Sequence, residues 1–266
     1  MMKGSRLKLE ISLVCKTALH IGSGETAVTS DAAVIKTATG EPFIPGSTLK
    51  GKLRSAADSI AHYLSLKTCQ LNYSYSGVEC CSALDWYRNK KKEIDLIRKE
   101  TDAKKKLRKI DEFTCDVCQL FGSPLRAGRI FISDAKCTDW TGIFEVRDGV
   151  VIDRDSETAV DNLKFNFEVV PADTKFHFTI EIEEFQDKDL ALIGSVLLSW
   201  QQGFMLGGMT ARGLGRMEIE EITASKLDLN DKTQLIDYLL HKKMEVIPDW
   251  KAYFQERIEQ HVKGVS

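Results

Sequence analysis

No run of apolar residues in the 266-residue sequence approaches the roughly 20 needed to span a bilayer. Lys3 and Arg6 are not followed by the apolar segment of a secretory signal, and the expectation is a cytoplasmic protein. A large excess of either charge is also missing: 37 Lys and Arg stand against 39 Asp and Glu. That balance neither supports nor excludes a nucleic-acid partner, because clustering of cations matters more than their sum. An even set of cysteines is absent too. Seven in a chain of this length argue against a disulfide scaffold and for core or metal-binding roles. With 43% hydrophobic and 29% charged residues, the composition is that of an ordinary globular protein with a substantial core.

Periodicity supplies the fold. Residues 6–15 alternate Leu7, Leu9, Ile11 and Leu13 with polar partners, the pattern of a half-buried strand. A loop over 20–46, rich in Gly, Ser and Thr and closed by Pro42 and Pro45, is long enough to be functional. Helical spacing of Leu49, Leu53, Ala56, Ala57, Ile60 and Leu64 predicts a helix over 47–66, with Ser47 or Thr48 as its cap. Residues 67–118 lack strand periodicity and read as an insertion. Strands follow at 129–135, 175–184 and 216–222, and a helix at 188–203. Between them, 144–170 reads as a projecting hairpin turning near Arg147-Asp148-Gly149. Two short helices are expected near 231–242 and 248–262. The order strand, helix, strand, strand, helix, strand is the split βαβ, ferredoxin-like arrangement, also the frame of RNA-recognition domains. The fold class is therefore α+β.

Four motifs carry chemistry. Gly46 to Lys52 fits the opening of a phosphate-binding P-loop, but Leu53 stands where Ser or Thr should hold magnesium, which excludes a nucleotide triphosphatase. A helix start beside Lys50, Lys52 and Arg54 either suits a phosphodiester backbone or is a solvated start with ordinary surface charge. Asp31 lies in the loop leading to that helix, where an acid is either solvated or part of a turn, or can share a magnesium ion with an RNA phosphate. His20, at the loop's other end, is an RNA contact, an acid or base, or a hydrogen-bonded residue at a strand end. Cys115-x-x-Cys118 is half of a zinc site, and Cys69 and Cys80 are the favoured second half, with Cys81 or His62 as substitutes. Such a site would staple an insertion too polar to form its own core. Cys15 and Cys137 read as packing residues. Residues 88–109 hold eleven Lys and Arg against four Asp and Glu, and no aromatic on which a base could stack. Their acids can pair with the cations along a helix, so a solvated surface is the simpler reading. The glycine-rich loop 207–215, with Arg212 and then Arg216, is either a tight turn or a place where another backbone comes close.

Taken together, Leu19-His20-Ile21-Gly22-Ser23-Gly24, Asp31-Ala-Ala-Val34-Ile35, Pro42-Phe-Ile-Pro45-Gly46-Ser47-Thr-Leu-Lys50-Gly51-Lys52-Leu-Arg54, Cys115-Asp-Val-Cys118-Gln-Leu-Phe121-Gly122-Ser123, Gly128-Arg129-Ile-Phe-Ile-Ser-Asp134-Ala135, Val151-Ile152-Asp153-Arg154 and Gly207-Gly208-Met-Thr-Ala-Arg212-Gly213-Leu-Gly215 form an ordered set. In that order they resemble the RAMP superfamily of CRISPR-associated proteins, and more narrowly the backbone subunit of type III effector complexes of the Csm and Cmr classes. The resemblance spans roughly residues 7–220.

It implies an RNA-recognition-like palm over 1–225, carrying the insertion at 67–118 and a hairpin thumb at about 142–170 that pokes between guide and target RNA. Residues 226–266 would be a helical extension. It also implies binding of CRISPR RNA through His20, Ser47, Lys50, Lys52, Arg54, Arg154 and Arg212, alongside copies or relatives of the chain and other Cas subunits in a prokaryotic cytoplasm. Asp31 would carry the magnesium-dependent cut of the target RNA, by attack of a ribose 2′-hydroxyl on the adjacent phosphate. A purely structural RNA-binding subunit and an endoribonuclease that processes CRISPR transcripts are the alternatives. The insertion is longer and more basic than in the plainest members of the family, and the C-terminal helices are additional.

Overall fold

The computed structural model describes residues 4–24 and 30–265. Lys3 and loop residues 25–29 therefore lie outside the described residues. The first strand, β1 (Ser5–Cys15), is central, and its alternation puts Leu7, Leu9, Ile11, Leu13 and Cys15 on one fully buried face. A two-residue strand, β2 (Phe43–Ile44), precedes helix α1 (Gly46–Ala61). Residues 67–118, read from the sequence as an insertion, are mainly helical, with α2 (Tyr73–Ser76), α3 (Leu84–Asn89), α4 (Lys91–Lys99), α5 (Ala103–Glu112) and the start of α6 (Asp116–Phe121). Strands β3 (Ile130–Ile132) and β4 (Ala135–Asp139), hairpin strands β5 (Glu145–Ile152) and β6 (Ala159–Val169), and strand β7 (Lys175–Glu183) follow. Helix α7 (Asp187–Trp200), strands β8 (Phe204–Met205) and β9 (Arg216–Asp228), helix α8 (Lys232–His241), strand β10 (Glu245–Ile247) and helix α9 (Trp250–Val265) complete the described order.

The main sheet runs β10-β9-β1-β7-β4-β2, with β3 also on β7 and β8 on β9, all antiparallel. Counting β3 and β4 as one broken strand, its centre has the 4-1-3-2 order of the split βαβ arrangement. This is a mixed α and β fold on a ferredoxin-like plan. Leu49, Leu53, Ala57 and Ala61 on α1, with Leu190, Ile193, Val196 and Leu197 on α7, join the buried face of β1 and Phe176, Phe178, Ile180 and Ile182 of β7 in one core. Helix α9 lies against α7 so closely that a Cβ on Gly194 would meet the Phe254 ring at 2.7 Å. Among the described residues, no helix is long and apolar enough to cross a membrane.

Several expected boundaries move, each for a physical reason. The predicted strand 129–135 breaks at Ser133-Asp134, where Asp134 turns toward the start of α1 and accepts the Gly46 N–H at 2.7 Å. No side chain of α1's own start caps it, so Ser47 and Thr48 do not play that part. The hairpin does not turn at Arg147-Asp148-Gly149. Those residues sit inside β5, where Gly149 pairs with Phe165 and leaves room for its ring. The turn falls at 153–158, where Asp153 accepts N–H groups from Asp155 and Ser156 at 3.0 and 2.8 Å. Those bonds, the Ser156 ones foremost, hold the Asp153 carboxyl below its ordinary range. Strand β9 extends to Asp228, since it is covered by β10 on one side and β1 on the other.

The insertion's apolar residues do not form a separate centre. Trp86 and Ile94 join the main core beside Cys69, Cys80, Cys115 and Cys118. Acids in the basic run do pair with cations, at 3.4 Å for Lys90–Glu93, 3.8 Å for Arg98–Asp95 and 3.0 Å for Lys109–Glu100.

Candidate nucleic-acid interface and metal centre

Three chain segments meet at one edge of the palm: the loop after β1, the base of hairpin strand β6, and the glycine-rich loop after β8. Leu19 and Val170 exchange backbone hydrogen bonds at 2.8 Å. Ser23 N–H donates to Ala33 and Ile35 N–H to Ile21, both at 2.9 Å, so the loop doubles back as a narrow ladder. His20 is buried, with Nδ1 2.7 Å from the Glu168 carbonyl, which assigns the proton to Nδ1. Its own carbonyl accepts the Gly208 N–H at 2.8 Å. Gly207 (φ 81°) passes so close that a Cβ would stand 2.4 Å from that oxygen. His20 is thus hydrogen-bonded at the foot of the hairpin, and the glycine loop is where one protein backbone approaches another.

Asp31 projects from this ladder with an exposed side chain. Its Oδ2 accepts the backbone N–H of Asn166 at 2.8 Å, and its own N–H donates to Asn166 Oδ1 at 2.8 Å. One bond holds the carboxylate and the other the backbone of Asp31 against the hairpin. Directly behind it, buried Glu168 accepts Val34 N–H at 3.2 Å and pairs with Lys36 at 2.8 Å. Asn166 and Glu168 escaped sequence reasoning, because β6 lies some 135 residues from Asp31 and nothing local marks its register; Lys36 is close by in sequence, but its role shows only through its pairing with Glu168. Among the described residues, no group of three or more His, Cys, Asp or Glu ligands includes Asp31. A magnesium ion here would rest on one carboxylate and complete its shell with water and phosphate, which suits that ion's habits.

Helix α1 divides the basic residues expected to act together. Lys50, Arg54 and Asp58 follow at i,i+4 spacing on one face, which turns toward β3 and the insertion. Lys50 Nζ donates to the Ile130 carbonyl at 3.2 Å, and burial, then the nearby Arg54 charge, hold its pKa below the ordinary lysine value. Arg54 Nη2 donates to Cys118 Sγ at 2.9 Å, so the guanidinium faces cysteines rather than solvent. Ser47 and Gly51 are exposed and Lys52 is half-exposed. The helix start is already engaged by Asp134, which removes the Gly46 N–H from any phosphate pocket. Arg154 is exposed in the hairpin turn, and Arg212 in the short turn of the glycine-rich loop. The open sheet face presents Lys8, Glu10, Ser12, Thr179 and Glu181, with His177 and the exposed Phe131 as rings on the same side.

The four favoured cysteines converge. Sγ atoms of Cys69, Cys80, Cys115 and Cys118, all buried, lie within 4.8 Å of one another. Cys69 and Cys118 are 3.6 Å apart, against about 3.8 Å for the edge of a tetrahedron with zinc–sulfur bonds near 2.3 Å. Backbone N–H groups of Cys115 and Ser82 reach Cys80 Sγ at 3.4 and 3.5 Å, the donors a thiolate requires. Hydrogen bonds from Cys115 and then Cys69 lower the Cys118 thiol below the ordinary thiol range. The donor set fits a structural zinc ion. Cys81 instead contacts Thr114 Oγ1 at 3.6 Å, and His62 stacks edge-on against Tyr63, so neither belongs to the set.

With this geometry in place, the family is shown. The RAMP superfamily model matches residues 12–218, and the chain belongs to that superfamily. It is similar to the CRISPR system Cms endoribonuclease Csm3 of Methanothermobacter thermautotrophicus, with 27% identity over 241 residues, covering 79% of this chain and 82% of that protein.

Proposed function

We propose that this chain is a CRISPR RNA-binding backbone subunit of a type III effector complex, and that it cuts guide-paired target RNA through Asp31. The observation that carries the cleavage reading is exposed Asp31, whose carboxylate accepts the Asn166 N–H and whose own N–H donates to the Asn166 side chain at the base of the projecting hairpin. A mobile surface acid would need neither bond. In this reading β5–β6 is the thumb that separates guide from target, and Asp31 sits where it holds the adjoining phosphate. A magnesium ion on Asp31 would supply stabilisation of charge at that phosphate. The chain's own contribution is position: the hairpin kinks the strand so that a 2′-hydroxyl stands in line with the leaving 5′-oxygen.

RNA binding has a second support in Gly51. It sits mid-helix, exposed, where a Cβ would meet nothing within 4 Å. Glycine there weakens the helix without serving any packing, which fits close approach by a phosphodiester backbone beside Ser47 and Lys52 of the same helix. Residues 1–225 form the RNA-binding domain in this reading, and 226–266 an addition that extends the sheet by β10 and packs α9 on α7. Zinc holds the insertion, other Cas subunits and further copies flank the chain, and the complex works in a prokaryotic cytoplasm, in keeping with its similarity to Csm3.

The test is target-RNA cleavage by the assembled complex carrying wild-type, Asp31→Ala or Asp31→Asn protein, with magnesium supplied or omitted. Omission avoids a chelator that would also strip the cysteine site. The expected result is retained assembly and target binding with loss of cuts in both variants. Persistence of every cut makes the chain a scaffold only. Cutting of a repeat hairpin without magnesium favours the transcript-processing alternative.

A further inference from the structure

Arg54 occupies the last basic position of the run Lys50-Gly51-Lys52-Leu53-Arg54, which suggests a phosphate ligand. Its surroundings suggest another task. The guanidinium is largely covered, Nη2 lies 2.9 Å from Cys118 Sγ, and Nε is 3.8 Å from Asp58 Oδ2. Asp58 in turn accepts the hydroxyl of Thr68, which directly precedes Cys69. One turn of α1 is thus tied to two of the four cysteines, one through each end of the Arg54–Asp58 pair.

Charge explains why an arginine is placed here. Four thiolates carry twice the charge of one divalent ion, so a loaded cysteine site keeps a net negative charge in a buried setting. Buried charge without a partner is costly. Cys80 has two backbone N–H donors, whereas Cys118 has a guanidinium. We propose that Arg54 is a positioning residue of the metal centre, not an RNA ligand: it compensates the thiolate charge at Cys118 and couples the zinc-held insertion to the helix that faces RNA. This rests on the zinc reading given above.

The experiment uses the full-length chain with zinc alone as the probe. Zinc content is measured first, then zinc affinity by competition with a chromogenic chelator, for wild type, Arg54→Met and Arg54→Lys. Loss of a group hydrogen-bonded to a metal ligand weakens metal binding by about 10–100-fold. The methionine variant is expected to fall in that range, with lysine recovering part because it keeps the charge. In parallel, RNA affinity is measured against salt. Replacing a phosphate ligand reduces the slope of log affinity on log salt by about 1. Lys52→Ala is expected to show that reduction and Arg54→Met to keep the wild-type slope. Circular dichroism confirms folding, and the lysine variant carries the test if methionine does not fold. Zinc affinity unchanged in both Arg54 variants overturns the inference alone, as does a reduced salt slope in Arg54→Met with unchanged zinc affinity. A wild-type chain that holds no zinc overturns the zinc reading and this inference with it.

Discussion

Replacing Gly51 by alanine separates a folding role from a binding role in one substitution. Glycine in a helix interior is about 1 kcal/mol less favourable than alanine. Gly51 is exposed, and a new Cβ would touch nothing within 4 Å, so the whole propensity gain should reach stability. For a domain near this size, 1 kcal/mol raises the melting temperature by about 2–4 °C. Gly46→Ala, five residues earlier on the same helix, is the internal control. There a Cβ would lie 2.5 Å from the Ile132 carbonyl oxygen, and the melting temperature should fall. The second assay is RNA binding by the folded variants. If the methyl-free surface of Gly51 admits a phosphate backbone, Gly51→Ala weakens RNA binding although it melts higher. A variant that is more stable and binds RNA as well as wild type refutes the close-approach argument. One that gains no stability refutes the reading of Gly51 as an uncompensated helix defect.

Three further outcomes follow from the geometry. Asn166→Ala removes the acceptor of the Asp31 N–H but keeps the backbone donor to its carboxylate; with a hydrogen bond worth about 0.5–1.5 kcal/mol, cleavage should slow by up to about tenfold while target binding persists. Equal rates in a single-turnover assay would show that this bond does not position Asp31. Asp189→Asn strips the charge partner from buried Arg129, which it meets at 2.7 and 3.0 Å, and loosens the start of α7, where Asp189 also accepts the Gln186 N–H; destabilisation of about 3–5 kcal/mol is expected in urea unfolding, with recovery in an Arg129→Met, Asp189→Leu double variant. Finally, burial, with Cys137 and Asp173 adding to it, pushes the Cys15 thiol up to about 12. The protonated form therefore prevails at pH 8, and peptide mapping after native alkylation should show half-exposed Cys137 labelled ahead of Cys15.

The sequence by itself determined what depends on local period and on chemistry with few alternatives. Strict alternation in β1 and β7 can satisfy only a half-buried strand, and the strand and helix order implied a split βαβ sheet. Cys115-x-x-Cys118 demanded two more thiols, and Cys69 and Cys80 are the ones that arrive. Tertiary structure decided where side chains of distant segments meet. Asp31 was visible as an acid in a glycine-rich loop, but its fixation by Asn166 depends on the register of β6, which no local pattern specifies. Lys50, Lys52 and Arg54 look alike as a basic run; packing α1 on the insertion turns Lys50 and Arg54 inward and leaves Lys52 toward solvent. The cap of α1 came from Asp134 in a strand break rather than from its own Ser47, and the hairpin turn moved because Gly149 was needed beneath Phe165. Period and ligand chemistry act within a few residues and can be read along the chain. Capping, charge compensation and cross-strand contact act through space, and only the folded chain brings their partners together.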